Sequence, residues 1–132
     1  MEITRLNGTD ARLYQLVAPI IMSPSVLRQN NNYPFKTTGH YLWYVAESVV
    51  SGVEGFLPLK PVGKGYCIDN YYIKGDNPIV LEKLLGRAIE DYSCGTELKA
   101  LVHKRHVEIF CRMGFFTTGE LRRYDKMEYR RG

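Results

Sequence analysis

Asn77-Pro78-Ile79-Val80-Leu81-Glu82-Lys83-Leu84-Leu85-Gly86-Arg87-Ala88-Ile89-Glu90-Asp91-Tyr92 is the stretch on which the fold turns. Asn77 has the side chain of an N-cap, and Pro78 suits the first helical position, where a missing N–H costs nothing. Leu81, Leu84, Leu85, Ala88, Ile89 and Tyr92 then recur at i, i+3, i+4, i+7, i+8 and i+11, with Glu82, Lys83, Arg87, Glu90 and Asp91 on the opposite face. Gly95 supplies a left-handed stop. The spacing predicts an amphipathic helix with one apolar face that needs a partner.

The partner is a sheet. Upstream, His40 to Ala46 is apolar on both alternating sets, as a strand covered on both faces requires. Val49 to Leu59 follows, then a hairpin loop at Pro61 to Gly65 and a strand from Tyr66 to Ile73. That last strand puts Cys67, Asp69, Tyr71 and Ile73 on one side and Tyr66, Ile68, Asn70 and Tyr72 on the other. Downstream come a strand at Leu98 to His103, a short helix through Val107, Phe110 and Cys111 closed by Gly114, and strands from Phe115 and from Leu121 to Arg130. At the start, Glu2 to Leu6 is β-compatible, and Thr9 or Asp10 caps a helix carrying Leu13, Leu16, Val17 and Ile20. Pro19 and Pro24 bend or split that helix, and Asn30-Asn31-Asn32-Tyr33-Pro34 reads as an exposed loop. The fold class is therefore α/β: a mixed, largely antiparallel sheet flanked by helices on both faces, with residues 1–132 as a single domain.

Composition agrees. A chain of 132 residues, 45% hydrophobic and 24% charged, can build a core without disulfide or metal staples. Its longest apolar run, Leu16 to Met22, is far short of a membrane span. Met1-Glu2-Ile3-Thr4-Arg5 lacks the basic-then-apolar order of a signal peptide, so a cytoplasmic location is expected. Cys67, Cys94 and Cys111 form no C-x-x-C pair and read as small buried residues. The net charge of +4 arises after residue 98, where nine Lys and Arg stand against four Asp and Glu. Those bases either attract an anionic ligand or solvate outward faces.

Several segments together carry a resemblance: Val53-Glu54-Gly55-Phe56, Tyr72-Ile73, Leu84-Leu85-Gly86-Arg87-Ala88-Ile89-Glu90, and Phe110-Cys111-Arg112-Met113-Gly114-Phe115. In order and spacing they resemble the GNAT superfamily of N-acetyltransferases, whose fold would span the whole chain. The resemblance implies acetyl-CoA as cofactor and a small-molecule or peptide amine as acceptor. It implies that the backbone of Tyr72 and Ile73 meets the pantetheine arm and that His103 flanks it. Gly75, Asn77, Ile79 and Val80 would form the diphosphate loop, where backbone N–H groups and the helix dipole favour anions. Lys104 and Arg105 would lie near the 3′-phosphate. Three residues depart from the family pattern: Ile79 and Leu81 replace glycines, and Phe110 replaces a tyrosine acid.

Amine acylation needs a group that takes a proton from the acceptor. Asp69, with Tyr71 on the same strand face, is the expected catalytic pair, and Glu54 is an alternative base. His103 and His106 make an H-x-x-H pair without a third ligand at a diagnostic interval, so no metal is expected. Two other classes stay open: a GNAT-like binding module without catalysis, and a nucleic-acid-binding domain using Arg122, Arg123, Lys126, Arg130 and Arg131. RNA-recognition and zinc-finger signatures are missing, which disfavours nucleic acid. The apolar, aromatic strands leave room for a homodimer.

Overall fold

A computed structural model describes residues 1–91 and 96–130. The predicted positions of Tyr92, Cys94, Gly95 and Arg131 lie outside the described residues. The amphipathic helix forms as α3 (Pro78–Asp91), opened by Asn77, whose side-chain carbonyl accepts the Ile79 N–H at 3.0 Å. Leu81, Leu84, Leu85 and Ala88 of the stripe are fully buried, and Val80 joins them.

They pack on a sheet that has eight strands among the described residues. Seven strands run in the order β1 (Glu2–Asn7), β2 (Leu42–Ser48), β3 (Gly52–Val62), β4 (Gly65–Ile68), β6 (Glu97–His103), β8 (Tyr124–Tyr129) and β7 (Phe115–Glu120), while β5 (Tyr72–Ile73) pairs with β3 alone. Among the described residues all pairings are antiparallel except β4 with β6, so α3 lies in the crossover between parallel neighbours. Gly65 permits that pairing, because a Cβ there would lie 1.8 Å from the Glu97 carbonyl oxygen.

Helices cover both faces, as expected. On one, α3 and α4 (Val107–Arg112) bury Tyr44, Ala46, Leu57, Leu59 and Ile68; on the other, Leu13 and Val17 of α1 (Ala11–Ile21) meet Trp43, Val45 and Phe56. The alternation of β2 between the two clusters is what its doubly apolar sequence predicts. Asp10 caps α1 through the Arg12 N–H, Pro19 stays inside that helix, and Pro24 opens a separate α2 (Pro24–Gln29).

Three expectations need correction. The strand read from Tyr66 to Ile73 is two strands, broken at Asp69–Tyr71, where Asn70 takes a left-handed φ of 54°. Asparagine tolerates that conformation better than most residues. The break undoes the simple alternation: Tyr71 and Ile73 enter the α3 side of the core, while Asp69 does not, so Asp69 and Tyr71 share no face. Asn30, read as part of an exposed loop, is 3% exposed. Cys111, expected to be buried, is exposed on α4.

Candidate active site

Parallel strands β4 and β6 stay paired only as far as Ile68 and Ala100. Beyond that point β5 turns to Gly55 and Phe56 of β3, while β6 continues along β8 to His103. A Cβ on Gly55 would sit 2.8 Å from the Tyr72 carbonyl oxygen, so glycine permits this close approach. The strands therefore splay at the Asp69–Tyr71 break. Side chains, not hydrogen-bonded backbone, fill the gap.

Tyr71, His103 and His106 fill it, each no more than 3% exposed. Their rings pack at centroid distances of 5.1 to 5.9 Å, continuing to Phe110 on one side and Tyr124 on the other. A proton order follows from the hydrogen bonds. The Tyr71 hydroxyl oxygen accepts the His103 backbone N–H at 3.2 Å, which directs its own proton to His106 Nδ1 at 2.6 Å. His106 Nε2 then carries the ring proton and donates to Asp76 Oδ1 at 2.8 Å. Arg105 Nε donates to the same carboxylate oxygen at 2.9 Å.

The electrostatics match this order. Burial, then Arg105, lowers the pKa of both histidines, His103 to about 4, so both rings are neutral near pH 7. Burial alone would raise the Asp76 pKa, but its bonds to Arg105 and His106 outweigh it and hold the carboxylate low. Burial drives the Tyr71 hydroxyl pKa far up, so it keeps its proton.

Beside this row lies a cleft lined by Asn30, Phe35, Tyr71, Tyr72, His103 and His106. It encloses about 240 Å³ open to solvent and has room for roughly one water-sized guest. Asn30 ties its wall together: Nδ2 donates to the Tyr33 carbonyl at 3.0 Å and to Asn70 Oδ1 at 3.2 Å. Its own Oδ1 is buried without a hydrogen-bond partner, alone in that among the described residues. Rotating the amide would set oxygen against two acceptors, so the orientation is fixed.

Asp69 belongs to a second recess, on the sheet face that α3 does not cover. This groove of about 770 Å³ is lined by Lys60, Cys67, Asp69, Lys99, Leu101 and Lys126, among others. Partial burial raises the Asp69 pKa, with Lys60 partly offsetting the shift. Burial and then Asp69 push the neighbouring Cys67 thiol up to about 11, which leaves it a poor nucleophile. Only Asn70 separates Asp69 of the groove from Tyr71 of the cleft along the chain, and no residue lines both recesses.

No model of a known protein family matches the chain, and no curated protein matches it. Solved structures do. Escherichia coli ElaA superposes with a TM-score of 0.78 at 10% identity, over 98% of this chain and 100% of that one. An acyl-CoA N-acyltransferase from Pseudomonas aeruginosa gives 0.74 at 14% identity over 98% and 100%. The fold is that of the GNAT N-acetyltransferases. PaiA N-acetyltransferase from Thermoplasma acidophilum, crystallised in complex with coenzyme A, gives 0.57 at 17% identity over 99% and 100%.

The GNAT fold implies acyl-CoA, and the donor set answers in two parts. β5 pairs with β3 alone among the described residues, so its other edge has no strand partner and fits a neutral, amide-bearing arm. The start of α3 offers a diphosphate few donors: Pro78 has no N–H, Asn77 already holds that of Ile79, and the preceding acid, Asp76, is bonded to Arg105 and His106. Of the residues named from sequence, Tyr71, Tyr72, Ile73 and His103 come together in the cleft. Gly75 and Asn77 stand exposed at the loop, with Ile79 on the surface and the Val80 side chain buried in the core. Phe110 is fully buried and has no proton to give. Lys104 pairs with Asp125 and Glu120, and Arg105 with Asp76, which commits both to protein partners.

Sequence reasoning missed Asn30, Asp76 and His106 as site residues. His106 had only the H-x-x-H signal, and its partners lie 30 and 35 residues away. Of the basic residues weighed for nucleic acid, Arg123 donates to Asn31, Arg130 lies 4.5 Å over the Phe116 ring, and Lys126 lines the groove. No helix of the described residues is long and apolar enough to cross a membrane.

Proposed function

We propose that this chain is an N-acyltransferase that moves an acetyl group from acetyl-CoA to an amine. The observation that carries the reading is the strand break at Asp69–Tyr71, which sets an open groove holding a carboxylate two residues along the chain from a narrow cleft. When bound, the cofactor supplies the acyl group as an activated thioester. The chain's own residues do the rest. Asp69 takes the proton that the attacking amine must lose, and its raised pKa brings it nearer the range of a working base. The groove is wide enough for an acceptor and presents both lysines and acids, which suits a small polar amine or the end of a peptide. Tyr71 is a positioning residue: its hydroxyl, held between the His103 N–H and His106, fixes one wall of the cleft.

A second reading, a GNAT-fold binding module without catalysis, is favoured by the Asp76 carboxylate. Its bonds to Arg105 and His106 tie the loop before α3 across to the start of α4. Calorimetric titration of acetyl-CoA separates the two. Saturable heat at millimolar cofactor or below supports acyl transfer. Absence of both heat and thermal stabilisation at that concentration supports the module instead.

A further inference from the structure

Strand register sets the charges of the groove around Asp69. Lys60 of β3 stands opposite Cys67 of β4, Cys67 opposite Lys99 of β6, and Lys99 opposite Glu128 of β8. Directly opposed residues share a face, so these four form one row across the groove. Lys126, opposite Leu101, lies in the next row of that face, and Asp69 follows the end of β4. With strands about 4.8 Å apart, the backbones of all three lysines come within about 10 Å of Asp69. Lys60 and Lys126 enter no ion pair among the described residues, and Lys99 reaches Glu97 and Glu128 only at 4.0 and 3.9 Å. Lys104 and Arg105, by contrast, are bonded to Asp125 and Asp76. We propose that the acceptor is a small primary amine that also carries an anionic group, a carboxylate or a phosphate, with its amine at Asp69 and its anion received by Lys60, Lys99 and Lys126. The inference rests on the acyl-transfer reading and names the acceptor class of that same groove.

The rest of the groove suits such a molecule. Its volume of about 770 Å³ is that of a small-molecule site, and Val62, Cys67 and Leu101 give it an apolar floor for the carbons between amine and acid. The Cys67 thiol keeps its proton and adds no charge of its own. Lys60 acts on the Asp69 carboxyl, so the cationic and anionic ends of the site are in electrostatic reach of each other. A polyamine fits badly, because its further ammonium groups meet the lysines, and a neutral amine gains nothing from them. In the transfer, the acceptor nitrogen loses a proton to Asp69 and gains the acyl carbon as the thioester C–S bond breaks, the sulfur leaving with the cofactor.

The test measures thiol release from acetyl-CoA with matched amines: β-alanine against β-alaninamide, O-phosphoethanolamine against ethanolamine, and spermidine as the polycation. The acid-bearing member of at least one pair should show a kcat/KM at least about fivefold above its neutral partner, mainly through KM. The pair that shows it tells carboxylate from phosphate, and about 0.5 M salt should narrow the ratio. Because Lys60 also acts on Asp69, the double variant Lys60→Gln, Lys126→Gln is read by this ratio and not by rate, and the ratio should fall to about twofold or less. Both lysines are exposed, so the variant keeps the core intact. Ratios near one in the wild-type protein, or a preference for spermidine, would overturn the inference and leave acyl transfer standing. If no amine is acylated, the acyl-transfer reading falls and NMR decides the anion site alone. Backbone amide shifts at Lys60, Cys67 and Lys126 with β-alanine or O-phosphoethanolamine, and not with their neutral partners, would keep that site, whereas unmoved signals would remove it too.

Discussion

Asp69 is the residue on which the proposed acyl transfer rests. Asp69→Asn keeps the shape of the side chain and removes the base, so turnover should fall at least about tenfold while acetyl-CoA affinity stays unchanged in a parallel titration. His103 controls a different property. Its folded pKa lies near 4 because burial, then Arg105 and His106, disfavour the charged ring. The unfolded chain takes up that proton near 6.5, so between these values the unfolded state binds more protons and stability rises with pH. Acidification from about pH 6.5 to pH 4 should therefore remove about 3 kcal/mol, a drop of about 10 °C in Tm by calorimetry. His106 shifts in the same direction and steepens the loss. His103→Asn should make the profile shallower, and an unchanged slope would show that His103 does not titrate there. Asp69 stood out in the sequence as an acid on an expected strand, with a strand-end ion pair as its other reading; the structure sets it just past the end of β4, lining the groove. Asn30 did not stand out, because its burial depends on Asn70, forty residues away.

At the scale of elements, the legible parts were those set by local rules. The α3 stripe, the Asn77 cap and the hairpin at Gly63 depend on periodicity, capping and turn chemistry, and all three stand in the structure. Asn77→Ala should cost about 1 kcal/mol in denaturant unfolding without altering the sheet. The break between β4 and β5 escaped notice because Tyr66 to Ile73 alternates well enough for one strand. What divides it is the left-handed backbone at Asn70, anchored by Asn30 and the Pro34 carbonyl. The parallel β4–β6 pairing depends on Gly65. Gly65→Ala drives a Cβ into the Glu97 carbonyl and should destabilise the protein by about 3 kcal/mol, seen as a lower denaturation midpoint. A midpoint equal to wild type would mean that the strands can separate there without loss.

Across the whole molecule, one strand break organises two recesses. On the α2 side the gap is packed with Tyr71, His103 and His106, and Asn30 lines the cleft. On the face that α3 leaves uncovered, Asp69 looks into a groove edged by lysines. The basic excess after residue 98 partly serves this layout: Lys99 and Lys126 edge the groove, while Lys104 and Arg105 bind acids of the chain itself. The claim that joins both recesses is acyl transfer, and release of free thiol from acetyl-CoA across a panel of amines measures it directly. The account predicts amine-dependent thiol release by the wild-type protein and at least about tenfold less by Asp69→Asn. Release no faster than in buffer with every amine, or equal rates for the two proteins, would contradict it.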